Sequence, residues 1–279
     1  MSGINPLNME EIKNIIESAW QDRELLKKED VKNSIRDIIS GLDNGVLHVV
    51  GRVGDSWVVN EWIKKAIILY FVIQEMKTHE VGMFEYHDKI PLKSKYADKG
   101  IRVVPNAVVR YGSYVSPGVV LMPSYVNIGA YVDRGTMIDT WATVGSCARI
   151  GSDVHISGGV GIGGVLEPVQ ASPVIVEDNV FIGSRCIVVE GVHVEREAVL
   201  GANVVLTSST RIIDVSQKDP VYLKGRIPTG SVVIPGSYTK SFPAGDYSVP
   251  CALIIGKRKE STNKKTSLND ALRDYNVSI

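Results

Sequence analysis

The chain has no excess of charge of either sign: Lys plus Arg and Asp plus Glu each number 31. That removes the bulk positive field on which non-specific nucleic-acid binding depends. It has no long apolar run either; Ala66 to Ile73 falls far short of the ~20 residues a membrane span needs. The opening MSGINPLNMEE lacks the basic and apolar regions of a secretory signal. Cysteine is scarce: Cys147, Cys186 and Cys251 form an odd set without a CxxC pair, which points to a reduced, cytoplasmic setting. His155 and His193 stand apart from other candidate ligands, so no metal site is expected. What the 279 residues do hold, 44% of them hydrophobic and 26 of them glycine, suffices for a folded protein with a sizeable core.

The first hundred residues carry helical patterning. Asn8 and Glu11 fit a capping pair, and Ile12, Ile15, Ile16, Ala19 and Trp20 make one apolar stripe. Val31, Ile35, Ile38, Ile39 and Leu42 make a second, stopped by Asp43-Asn44-Gly45. Two β-like runs, Leu47 to Val50 and Ser56 to Val59, predict a hairpin. A third helix is expected after Asn60, with Trp62, Ile63, Ala66, Ile67, Tyr70 and Phe71 facing inward.

From about residue 103 the period becomes six. Val108, Tyr114, Val120, Val126, Val132, Ile138, Val144, Ile150, Ile156 and Ile162 recur at every sixth position. Small residues follow four places later (Gly112, Gly118, Ser124, Ala130, Thr136, Ala142, Ala148), and Gly or Asx often follows directly. An internal repeat of this kind governs the fold. The aliphatic fills the interior, the small residue sits beside it, and Gly or Asx tolerates the turn's unusual dihedrals. Three such units close a triangular coil, and coils stack at about the 4.8 Å strand spacing. A second series, Val176, Ile182, Val188, Val194, Leu200, Leu206 and Ile212, is offset by two, so Val165 to Pro173 must leave the coil as a loop. A further break spans Asp214 to Arg226 before Ile227 and Val233 resume the step. A basic tail and a short helix opened by Ser267 follow.

Within this pattern Gly159 to Gly164 spells G-x-G-x-x-G, the fingerprint of a dinucleotide-binding turn. That fingerprint needs a helix after it. Here Glu167-Pro168 and Pro173 follow, and Ile162 and Gly163 are in hexad phase, so the glycines belong to the repeat. As loop-base residues, Gly163 and Gly164 would also let a narrow ligand lie against backbone.

Three stretches are more specific than hexads: Arg102-Val103-Val104-Pro105, "VVLMPSYVNIGAYVDRGTMIDTWATVGSCARIG" from Val119 to Gly151, and "HISGGVGIGGVLEPVQASP" from His155 to Pro173. With "WIKKAIIL" from Trp62, "STRI" from Ser209, "GRIPTGSVV" from Gly225 and "CALIIGKR" from Cys251, they resemble the tetrahydrodipicolinate N-succinyltransferase family over nearly the whole chain. The resemblance implies a left-handed parallel β-helix with an N-terminal helical domain and a small C-terminal β/α extension. The expected divisions are 1–100, 101–236 with an excursion loop near 164–174, and 237–279. It implies a cytoplasmic homotrimer of the diaminopimelate–lysine pathway, acting on small-molecule substrates with succinyl-CoA as co-substrate and no permanently bound cofactor.

The resemblance also implies the site. Asp139 matches the family's substrate-binding and catalytic aspartate, and Arg102 its carboxylate-binding arginine, whose planar fork suits a dianion. Trp141 would wall the pocket, and Glu167 in the excursion loop would line it. Gly163, Gly164, Lys257 and Arg258 fall where the coenzyme approaches, with Lys259, Lys264 and Lys265 behind them. One position departs: the family carries a glutamate, partner of the aspartate, where this chain has Ile187, leaving Glu190 or Glu167 to substitute. Two other readings stay open, another CoA-dependent hexapeptide acyltransferase, such as one using acetyl-CoA, and a non-catalytic β-helix scaffold.

Overall fold

A computed structural model describes residues 6–54 and 56–258. Three α-helices come first: α1 (Pro6–Gln21), α2 (Glu29–Asp43) and α3 (Glu61–Ile73). Their apolar stripes meet in one core in which Ile16, Ile35, Ile38, Ile39, Ile67 and Leu69 are fully buried. Helix α1 includes Asn8, so the expected capping pair lies inside the helix and does not start it. The predicted hairpin forms from Val50–Val53 and Ser56–Val59, its first strand three residues later than the apolar run suggested. A second hairpin, Lys77–Val81 with Phe84–Asp88, has no counterpart in the sequence reading, because both strands are exposed throughout and carry no alternation to find.

The rest is a three-faced coil of two-residue parallel strands. The first face stacks Arg102–Val103, Val120–Leu121, Met137–Ile138, His155–Ile156, Phe181–Ile182, Val199–Leu200 and the start of Ser231–Phe242. The second stacks Val108–Val109, Tyr125–Val126, Thr143–Val144, Gly161–Ile162, Ile187–Val188 and Val205–Leu206. The third stacks Tyr114–Val115, Tyr131–Val132, Arg149–Ile150, Ile175–Val176, His193–Val194 and Arg226–Ile227. In nearly every strand the second residue points inward, and these aliphatics form one continuous core. Each such burial is worth about 1.5–3 kcal/mol, which is how strands too short to stand alone persist together.

Two details of the repeat differ from the expectation. The inward residues of the first coils are Val109, Val115 and Leu121, not Val108, Tyr114 and Val120, which look outward. The step from Leu121 to Val126 is five residues, at Pro123, so a six-residue count extended backwards loses phase there. The inward small positions on that side are accordingly Ser113 and Val119, while Gly112 and Gly118 are corners with φ of +84° and +81°.

The second detail concerns the corner itself. Positive φ falls three residues after the aliphatic, at Gly129, Gly135, Trp141, Cys147, Asp153, Gly159 and Arg185, not one residue after it. The residue directly after the aliphatic has another task, met in two ways. Asx side chains close the turn, Asn127, Asp133 and Asp139 accepting the backbone N–H of Ile128, Arg134 and Thr140 at 2.9, 2.8 and 2.6 Å. Glycines instead admit the next coil: a methyl on Gly145 would lie 2.6 Å from the Gly163 carbonyl carbon, and one on Gly151 2.7 Å from Asp178 N.

The helices dock on the edge between the second and third faces. Methyls added at Gly112 and Gly129 would each lie 2.8 Å from a side chain of α2 (Ile39) or α3 (Ile67). A buried ion pair holds the joint, with Lys93 Nζ 2.6 Å from Asp43 Oδ1, which also accepts Gly112 N–H at 3.1 Å. At the far end Ser231–Phe242 pairs antiparallel with Gly245–Lys257, and Ala252 and Ile254 plug the core. Residue 236, the expected division, falls inside the first of these strands. Lys259, Lys264, Lys265 and the helix expected at Ser267 lie outside the described residues.

Candidate active site

The predicted site residues sit on different edges of the prism. Asp139 and Trp141 follow the first-face strand Met137–Ile138, at the edge leading to the second face. Asp139 is half-buried, and its Oδ1 accepts Thr140 N–H at 2.6 Å and Thr140 Oγ1–H at 3.1 Å. This is the turn-closing role of Asn127 and Asp133, and it leaves Oδ2 without a hydrogen-bond donor among the described residues. Trp141 takes φ +60° and donates its N–H to Pro123 O at 2.6 Å, so its side chain is thrown outward and stays 71% exposed. The next face presents Thr143, Gly161, Ile187 and Val205 at its outer positions, with Thr143, Ile187 and Val205 exposed.

His155 is a neighbour that sequence reasoning set aside. It pairs with Met137 in the strand register and stacks on Phe181 with centroids 4.9 Å apart and planes 10° apart. Burial holds its imidazole below the ordinary histidine range, against the opposing pull of Asp139. The signal was the strand register, which joins residues eighteen apart and is visible only once coils are stacked.

Glu167, Glu190, Gly163 and Gly164 do come together. They line a cleft of ≈ 520 Å³ on the edge between the second and third faces, with Ala171 and Ser208 on its walls. Glu190 Oε2 accepts Ser208 Oγ–H at 2.6 Å and Ser208 N–H at 3.2 Å. The space a side chain would take at Gly163 is filled by Val189 at 2.7 Å, and at Gly164 by Ser146 N and the Gly145 carbonyl carbon at 2.9 Å. What these two glycines offer the cleft is therefore backbone. The roof is the loop 163–174, tied at its start by Val165 N–H to Ser146 O at 3.1 Å.

Arg102 opens the first face, is exposed, and has no partner for its guanidinium among the described residues. Lys257 and Arg258 end the last strand on the edge between the third and first faces. There Lys257 Nζ donates to Thr229 O at 2.6 Å and Arg258 Nη1 to Asn179 O at 2.8 Å. Ile187 points outward from the second face, in register with Gly161 and Val205. The cysteines are built in: burial pushes the Cys147 and Cys186 thiols up to about 12, and Cys186 Sγ–H donates to Gly201 O at 2.9 Å. Neither is placed as a nucleophile.

Stacked hexads interrupted by a cleft-lining loop are a hexapeptide-repeat fold, and residues 173–208 match the model "Hexapeptide repeat of succinyl-transferase", which makes it that of a transferase. Residues 11–73, the three-helix segment, match "Tetrahydrodipicolinate N-succinyltransferase N-terminal". The chain is 51% identical over 271 residues to the 2,3,4,5-tetrahydropyridine-2,6-dicarboxylate N-succinyltransferase of Cupriavidus metallidurans, covering 93% of this chain and 97% of that one. It is 49% identical over 275 residues to the enzymes of that name from Azoarcus sp. and Acinetobacter baylyi, covering 95% of this chain and 99% of each. The chain belongs to the tetrahydrodipicolinate N-succinyltransferase family.

Proposed function

We propose that the chain transfers succinyl from succinyl-CoA to the amino group of ring-opened tetrahydrodipicolinate, a step of diaminopimelate and lysine biosynthesis. One observation carries the reading. In a chain of this family the hexads leave the coil once at mid-length, and the loop so released covers a cleft holding two carboxylates. A scaffold has no need of that interruption.

The transfer forms an N–C bond and breaks a C–S bond. The amine attacks the thioester carbonyl, its surplus proton passes to a carboxylate, and the thiolate leaves as coenzyme A thiol after taking up a proton. Asp139 is the proposed proton acceptor: Thr140 fixes Oδ1, which aims Oδ2 outward toward the amine. With Ile187 in place of the family's glutamate, Glu190, oriented by Ser208, takes the part of second carboxylate, and Glu167 lies across the same cleft. Arg102 binds a substrate carboxylate and Trp141 walls the pocket. The backbone at Gly163 and Gly164 lies along the coenzyme's narrow arm, and Lys257 and Arg258 meet its phosphates.

These groups occupy three edges of one prism, so the reading calls for a homotrimer in which a neighbour's edge completes each site. The 71% exposure of Trp141, with Ile187 and Val205 exposed on the next face, supports a surface that a neighbour covers. Family membership supports a left-handed coil, and three buried free cysteines support a cytoplasmic setting. Purified protein mixed with succinyl-CoA and freshly made tetrahydrodipicolinate should release free thiol. Faster release from acetyl-CoA would replace the donor, and no release from either would favour a scaffold.

A further inference from the structure

Helix α3 carries a lysine that the transfer chemistry does not use. Lys64 has no exposed surface, although its neighbour Lys65 reaches out to Glu17 at 2.6 Å. Lysines are almost never fully buried unless paired. Lys64 is held by two backbone carbonyls, donating from Nζ to Ala171 O at 2.8 Å and Pro168 O at 3.2 Å. Both belong to the excursion loop, 104 and 107 residues further along the chain. They are the ends of a single turn, since Ala171 N–H donates to Pro168 O at 3.1 Å.

The ammonium therefore anchors the turn that forms part of the cleft roof. Pro168 and Ala171 line that cleft together with Glu167 and Glu190. The loop has few other ties. Val165 N–H holds its start, Leu166 packs on the helical core, and Ser172 O lies against the bare Cα of Gly191. A full positive charge is directed at two neutral backbone carbonyls, and charge-assisted bonds of this kind are stronger than neutral ones. Burial lowers the lysine's proton affinity, with Cys147 and Glu61 opposing. Among the described residues its hydrogen bonds go only to the loop.

We propose that Lys64 is a positioning residue for the transfer reaction: it pins the 168–171 turn and so sets where the cleft roof, with Glu167 on it, stands relative to Glu190. The inference rests on the cleft being the transfer site, and its test separates the two.

Amide hydrogen exchange is measured on the full-length protein for wild type, Lys64→Met, which keeps the aliphatic stem without donors, and Lys64→Gln, which keeps donors on a shorter one. Exchange across 165–172 should rise by about ten-fold or more in Lys64→Met and by less in Lys64→Gln, with the coils at 176–206 unchanged. In the thiol-release assay Lys64→Met should raise KM for both substrates about ten-fold while kcat stays within about three-fold, the pattern of lost ground-state binding. Loop exchange equal to wild type would overturn the proposal. So would exchange rising equally in all coils, or failure of both variants to fold, since either assigns Lys64 to general stability. The exchange measurement needs no substrate. A wild-type protein that releases no thiol thus refutes the proposed function and leaves the role of Lys64 to be decided by exchange.

Discussion

Gly164→Ala should destabilise the coil where Gly158→Ala, six residues earlier in the same run of glycines, should not. A methyl on Gly164 would run into Ser146 N and lie 2.9 Å from the Gly145 carbonyl carbon and 3.1 Å from its Cα. All three atoms are backbone, so no side chain can swing away. Relief requires the two coils to part by roughly an ångström, which stretches Val165 N–H to Ser146 O (3.1 Å) and Gly145 N–H to Ile162 O (2.9 Å). Two such bonds are worth about 1–3 kcal/mol together, in line with the ~1–3 kcal/mol of overpacking a close-packed core. For a chain of this size that lowers Tm by about 2–4 °C per kcal/mol, or some 2–12 °C. At Gly158 the nearest atom to an added methyl is Thr140 O at 3.3 Å. The ~0.4–1 kcal/mol gained by restricting the unfolded chain then roughly balances the mild crowding. Thermal melts followed by far-UV circular dichroism measure both. Equal melting of Gly164→Ala and wild type, or a larger loss in Gly158→Ala, would refute coil-to-coil approach as the reason for these glycines.

Asp139→Asn should keep the turn, as Asn127 does at the equivalent place, yet lose most turnover; thiol release at the wild-type rate would remove the carboxylate from the chemistry. Arg102→Ala should raise KM for the amine substrate and leave Tm unchanged, because no described group pairs with its guanidinium; an unchanged KM rejects the role. Burial raises the Glu177 pKa, but hydrogen bonds from Trp57 Nε1 and His193, each 2.9 Å, outweigh it and hold the carboxyl below its ordinary value. A depressed carboxyl stabilises the fold above the unfolded value of 4.5 and loses that contribution as pH falls through the folded value. Glu177→Gln should therefore flatten the acid limb of a Tm–pH profile below about pH 4.5, and an unaltered limb would contradict it. Cys147 and Cys186, with thiols near 12, should resist a thiol reagent at pH 8 until the protein unfolds; rapid labelling of the native protein would show the core is open.

The helical stripes, the six-residue step and the excursion after Ile162 were legible in the sequence, because each follows from a local rule. A residue every sixth position must face one interior, and an offset of two between the series must be carried by a loop. The same local rule misplaced Val108, Tyr114 and Val120. One omitted residue at the Pro123 corner shifts the register, and outward valines and tyrosines resemble inward ones when counted alone. Asp139, Arg102 and Glu167 could be named from family motifs, yet motifs do not say which edge each occupies.

Only the stacked structure decided what lies beside what. Coils join residues seventeen or more positions apart, so Glu190 shares a cleft with Glu167 through the inserted loop and His155 comes next to Met137 by strand register. Lys64 sits among apolar residues of a helix and has the pattern of a surface lysine there; its partners lie over a hundred residues away. Periodicity fixes which way a side chain points, since backbone geometry is local. Which group it meets depends on how helices, loop and coils close on one another, and that is settled only when the whole chain has packed.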